Sequence, residues 1–102
     1  MLESEIEKQL VKKVESLGCG VMCKKFTCPG YAGMPDRIIL LSGGQTVFVE
    51  LKQPGKKERL RQRYVQSLLR KSGFTVFSSV CDEAGIDRVV QKCKEMLSGV
   101  QL

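Results

Sequence analysis

Residues 46–52 read Thr-Val-Phe-Val-Glu-Leu-Lys, and no other stretch constrains the fold so tightly. β-Branched and aromatic residues favour extended backbone, and side chains along a strand alternate between faces. Val47, Val49 and Leu51 therefore share one face, and Glu50 and Lys52 share the other. Charges in the middle of an apolar strand are expensive, because an unpaired buried charge costs several kcal/mol. They persist where they bind each other or a ligand.

The neighbouring segments supply a sheet and its cover. Residues 36–41 (Asp-Arg-Ile-Ile-Leu-Leu) read as a strand, joined to 46–52 by a tight turn at Ser42-Gly43-Gly44-Gln45, where paired glycines permit positive φ. Residues 20–27 read as a further strand, followed by a turn-rich stretch from Cys28 to Gly33. Residues 3–17 predict a helix, with Ile6, Leu10, Val14 and Leu17 in one stripe. A second helix is expected over 57–72, with Leu60, Tyr64, Val65, Leu68 and Leu69 facing inward and Gly73 at its end. Residues 74–80 form a strand, and 83–98 a last helix with Ile86, Val89, Val90, Cys93 and Leu97 on one face. The order is α-β-β-β-α-β-α. It predicts one α/β domain over residues 1–102, a mixed β-sheet of about four strands flanked by helices. The strands at 46–52 and 74–80 lie parallel across a helical crossover, and the earlier strands form an antiparallel meander.

Composition narrows the chemistry. The net charge of +6 favours an anionic partner, and nucleic acid is the usual one. There is no histidine, and the five cysteines (Cys19, Cys23, Cys28, Cys81 and Cys93) contain no C-x-x-C pair, so a Cys/His zinc site is excluded. Reduced, partly buried thiols are expected. Without histidine, catalysis must run on carboxylates, lysine or metal. The longest apolar run, Ile38 to Leu41, is too short to span a bilayer, so a cytoplasmic location and no membrane partner are expected.

Asp36 begins the strand that the turn folds back against residues 46–52. Counted from Gly43 and Gly44, Asp36 and Glu50 each lie about six or seven residues back along their strands. Two carboxylates side by side make a hard-oxygen cradle for Mg²⁺ or Mn²⁺, to which the main-chain carbonyl of Leu51 could add a ligand. Lys52 sits one pleat beyond, where it could orient water or stabilise charge developing on a phosphate.

Gly33-Met34-Pro35-Asp36, Val49-Glu50-Leu51-Lys52-Gln53-Pro54 and the downstream Gln62 together resemble the VRR-NUC branch, virus-type replication-repair nucleases, of the PD-(D/E)XK nuclease superfamily. The resemblance runs from about residue 3 to the last strand and implies a restriction-endonuclease-like core. It also implies a metal-dependent DNA endonuclease of phage or prophage type, acting on branched DNA such as Holliday junctions as a homodimer. Asp36, Glu50, Lys52 and Gln62 take the catalytic positions. The family's helix carboxylate falls on Glu7, beside the Ile6/Leu10/Val14 stripe, with Glu3 in reserve; Glu5 points the other way.

The run Lys56-Lys57-Glu58-Arg59-Leu60-Arg61-Gln62-Arg63 leaves the catalytic strand. Lys56, Lys57, Arg59, Arg61 and Arg63 are candidate phosphate contacts, extended by Lys24, Lys25 and Arg37. Tyr31 either stacks on a base or packs. No helix-turn-helix or zinc finger is recognisable, which favours recognition of DNA shape over base sequence. The competing readings are a sequence-preferring restriction-like nuclease and a non-catalytic DNA-binding or scaffold protein.

Overall fold

The structure is a computed structural model that describes residues 1–99. Its elements are α1 (Glu3–Glu15), β1 (Met22–Lys25), β2 (Arg37–Leu41), a 3₁₀ turn at Ser42–Gly44, β3 (Gln45–Leu51), α2 (Leu60–Lys71), β4 (Thr75–Val80) and α3 (Glu83–Ser98). The sheet order is β1-β2-β3-β4. The first two pairings are antiparallel, and β3 pairs with β4 in parallel. This is the mixed four-stranded sheet flanked by helices that the sequence predicts. Gly43 and Gly44 both take positive φ in the β2–β3 turn, at 79° and 74°.

The expected alternation on β3 sorts the two layers. Val47, Val49 and Leu51 join Ile6, Leu10 and Val14 of α1 and Ile86, Val89 and Cys93 of α3 in one buried cluster. Residues at i, i+4 and i+8 give α1 its apolar stripe, and Glu3 and Glu5 in its first turn and Lys12 and Lys13 in its last suit the helix dipole. Asp82 starts α3 by accepting the Gly85 amide at 2.8 Å. On the other face lie Phe48 and Glu50. Phe48 meets Phe26 and Phe74 edge-on, with ring centres 5.8 and 5.4 Å apart. There α2 covers the β3–β4 half of the sheet and buries Val65 and Gln66.

Several boundaries and one helix face differ from expectation. The first helix stops at Glu15, short of residue 17, because Gly18 turns the chain at φ +75°. The first strand keeps only Met22–Lys25 of the expected 20–27. The second helix begins at Leu60 rather than 57, since Pro54 and Gly55 carry the chain out of β3 through a longer loop. Leu60 (80% exposed) and Tyr64 (53% exposed) face solvent, not the core. The inward stripe of α2 is Val65 with Gln62 and Gln66, because this helix covers a polar part of the sheet. All five cysteines are free thiols, with Cys23 and Cys93 buried. Among the described residues no helix is long and apolar enough to cross a membrane.

One glycine clamps the loop before β2 onto α2. Gly33 has φ +101°, and a Cβ built there would lie 2.9 Å from both the Arg61 carbonyl oxygen and Val65 Cγ2. Gly30, at φ +82°, has nothing within 4 Å of such a Cβ. Gly33→Ala should therefore lower unfolding free energy by about 2–4 kcal/mol, through backbone strain plus overpacking. Gly30→Ala carries the strain alone and should cost about half as much or less. Urea titration of both variants checks this; equal losses would mean the close approach contributes nothing.

Candidate active site

The β2–β3 register pairs Arg37 with Val49, and one further step sets Asp36 opposite Glu50. Asp36 is fixed by its own partner strand: its Oδ2 accepts the Leu51 amide at 2.8 Å. Leu51 thus enters the site through its N–H, which orients the Asp36 carboxylate. Lys52 closes the strand end, its amide donating to the Val80 carbonyl at 3.0 Å. Its Nζ lies 3.7 Å from Glu50 Oε1.

Glu50 is 1% exposed. Its Oε1 accepts from Gln62 Nε2 at 2.8 Å, while its Oε2 is buried with no hydrogen-bond partner among the described residues. Burial pushes the carboxyl up to about 7, Asp36 and Glu58 add repulsion, and Lys52 opposes the rise. The group is held between its two protonation states near neutral pH.

Gln62 does two jobs at once. Its Oε1 accepts the Arg59 amide at 3.0 Å, which satisfies a free N–H at the start of α2, while its Nε2 reaches Glu50. The start of α2 and strand β3 are therefore joined through one side chain.

A further carboxylate escaped the sequence analysis. Glu58 Oε1 accepts from Ser79 Oγ at 2.7 Å, and Glu58 Oε2 is buried without a partner among the described residues. Ser79 has φ +53°, and here β4 sets two residues, Ser78 and Ser79, against the single Glu50 of β3, between the pairs Val49–Phe77 and Leu51–Val80. This is a β-bulge opposite Glu50, a device that re-aims side chains beside active sites. Ser78, also in the bulge, accepts from Arg70 Nη2 at 2.8 Å and donates to Gln66 Oε1. Glu58 lies in a basic run with no period to mark it. Gln66 carried a weak signal, four residues after Gln62 on the same helix face.

The first helix meets this end of the sheet as well. Glu3, Ser4, Glu7, Lys25 and Asp36 line a cleft of about 300 Å³. Both candidate helix carboxylates border Asp36 in it, and Glu7 Oε2 pairs with Arg37 Nη2 at 3.4 Å. No group of three or more Asp, Glu, Cys or His side chains among the described residues is close enough to hold one metal ion. Asp36 and Glu50 form a pair, and Glu7 is turned to Arg37.

The predicted basic contacts divide. Arg37 is engaged by Glu7 and by the Cys23 carbonyl at 3.4 Å, and Lys24 pairs with Glu15 at 3.4 Å. Arg37 therefore serves the protein interior rather than an open surface. Lys56, Lys57, Arg59 and Arg63 are exposed and make no ion pair among the described residues. Arg61 packs between Tyr31 and Tyr64.

No family model matches the chain. One curated relative does: "Putative nuclease p44" of Acyrthosiphon pisum secondary endosymbiont phage 1 is 47% identical over 55 residues, 54% of this chain. The match spans 57% of that protein's length. A solved structure described as "VRR_NUC domain" superposes with a TM-score of 0.76 and 26% identity, over 87% of this chain and 94% of that one. The strand order and this extensive superposition have one common reading: the chain is built as a VRR-NUC domain is, and about half of its sequence is similar to that of a phage protein named as a nuclease.

Proposed function

We propose that the protein is a metal-dependent DNA endonuclease that hydrolyses phosphodiester bonds at Asp36, Glu50 and Lys52. The observation that carries this reading is the buried Glu50 carboxylate, with one oxygen held by Gln62 and the other free beside Asp36. The buried Oε2 lacks a partner, and a divalent cation is a partner its chemistry fits. Two carboxylates suit Mg²⁺ or Mn²⁺, which commonly take one or two protein carboxylates and complete their shell with water and substrate phosphate. Asp36 and Glu50 would hold such an ion, which would supply positive charge at the scissile phosphate.

The chain's own residues do the rest. The Leu51 amide fixes the orientation of Asp36, and Gln62 fixes that of Glu50. Lys52, at the open end of the same strand face, donates hydrogen bonds to an attacking water or to the phosphate oxygens as charge builds on them. The exposed cations that begin at Lys56 contact the flanking phosphates. Glu7, paired with Arg37, lines the cleft that reaches Asp36. Branched DNA is the proposed substrate, and a two-fold homodimer would present two such sites for paired cuts.

Labelled four-way junction and linear duplex, incubated with Mg²⁺, Mn²⁺ or EDTA, test the reading directly. The junction should be cut with either metal and left intact in EDTA. Asp36→Asn, Glu50→Gln and Lys52→Ala should each lower the rate by about 100-fold or more, and Gln62→Ala by about 10-fold, because it acts through Glu50. Undiminished cutting by Asp36→Asn would refute the assignment.

Glu50 also gives a pH signature independent of cleavage. Its folded pKa of about 7 lies above the ordinary 4.5, so between these values the folded chain binds more protons than the unfolded chain. Metal-free stability should therefore fall as pH rises from about 4.5 to 7, by about 3 kcal/mol, and level off above that. Glu50→Gln should remove the slope, and Mn²⁺ should raise the wild-type melting temperature at pH 8. Melting curves in EDTA across this range decide the matter: a slope unaltered in Glu50→Gln assigns it to other groups.

A further inference from the structure

One surface arrangement beside the site takes no part in hydrolysis. Arg61 precedes Gln62 on α2, and its guanidinium lies 4.6 Å from the Tyr31 ring centre and 5.4 Å from that of Tyr64. Arg61 Nε donates to the Ala32 carbonyl at 2.9 Å, so the guanidinium is anchored rather than free to swing. Tyr31 rides on the loop that Gly33 clamps to α2 and that leads within five residues to Asp36. The rings nevertheless stay 41% and 53% exposed. Two aromatic side chains are thus fixed in position, at little further entropic cost on binding, with much of their surface in water.

We propose that Tyr31, Arg61 and Tyr64 form a stacking platform for an unpaired base of branched DNA. Flat aromatic and guanidinium surfaces match the face of a nucleobase, and the surrounding charge matches its backbone. Lys56, Lys57, Arg59 and Arg63 lie on the same segment, exposed and unpaired among the described residues. A base inside a duplex has both faces covered by its neighbours and offers no surface to stack on; an unpaired base at a fork or flap does. The platform therefore adds preference for branched DNA to phosphate contacts that any DNA would make. It rests on the nuclease reading for the identity of the substrate, while its binding test does not depend on cleavage.

Binding is measured in EDTA with the whole chain. The probes are a forked duplex carrying 2-aminopurine at the first unpaired position and a blunt duplex of equal length. Wild type should quench the 2-aminopurine and bind the fork more tightly than the duplex. The double variant Tyr31→Leu, Tyr64→Leu should lose the quench and about 10-fold in fork affinity, with duplex affinity within about 2-fold of wild type. Tyr31→Phe, Tyr64→Phe keeps the rings and should retain both signals. Both tyrosines are surface residues, and circular dichroism melting verifies that the variants fold. An unquenched fork, or a leucine variant that binds the fork like wild type, overturns the proposal, as does an equal loss on both DNAs. So does a surface that captures a protein partner while leaving DNA binding unaffected by the leucines. Cleavage in Mn²⁺ is followed in parallel. Quenching without cutting refutes the nuclease reading and leaves the platform; cutting without quenching does the reverse.

Discussion

Glu50 lies at 1% exposure on the third strand, its Oε1 facing Gln62 and Lys52 and its Oε2 facing no partner. An ionised carboxylate so placed opposes folding, and much of the local structure limits that opposition without cancelling it. Gln62 donates one hydrogen bond, and Lys52 stands at 3.7 Å, longer than a direct hydrogen bond. Asp36 and Glu58 work against both. The balance leaves a carboxyl that burial alone would keep neutral and a bound cation would ionise. A fully satisfied ion pair here would be more stable and would leave no oxygen free for a ligand.

Holding that balance requires the strand, the bulge and the second helix to be mutually fixed, and each joint is a specific contact. The Asp36 carboxylate spans β2 and β3 through the Leu51 amide. The bulge at Ser78 and Ser79 breaks the β3–β4 register opposite Glu50 and turns hydroxyls toward Gln66 and Glu58. Gln62 ties the start of α2 to Glu50, and Gly33 brings the loop before β2 into contact with the same helix. Three of these joints meet on α2. This explains why its inward stripe carries glutamines where an amphipathic helix would carry leucines.

That stripe also marks where the sequence stopped being legible. Strand type, order and pairing followed from alternation and turn chemistry, since Val47, Val49 and Leu51 permit one face only and Gly43-Gly44 permits one turn. The Asp36–Glu50 pairing followed from the same register count. On α2 the rule that apolar residues point inward failed: Leu60 and Tyr64 are exposed, and Gln66 is buried, because the surface beneath is polar. Helix periodicity reports which residues share a face and says nothing about what the opposing layer offers. Glu58 and the Ser79 bulge were invisible for another reason. A bulge is an irregularity of pairing between two strands, and neither strand carries it alone.

Charge was legible in total and not in distribution. The +6 of the whole chain suggested a broad basic surface that included Lys24 and Arg37. Both are matched internally, by Glu15 and Glu7. Lys56, Lys57, Arg59 and Arg63, exposed and without an ion pair among the described residues, form a cluster at the start of α2, beside the loop that carries Tyr31 and Gly33. A polyanion is drawn to uncompensated charge, because paired charge contributes little field beyond a Debye length. On the proposed reading, DNA therefore approaches over the start of α2 and meets the aromatic platform and the Asp36–Glu50 pair together. Glu3 and Glu7 of the first helix line the cleft at Asp36 together with Lys25, and Glu7 is already matched by Arg37, so that rim offers a phosphate little net charge of either sign.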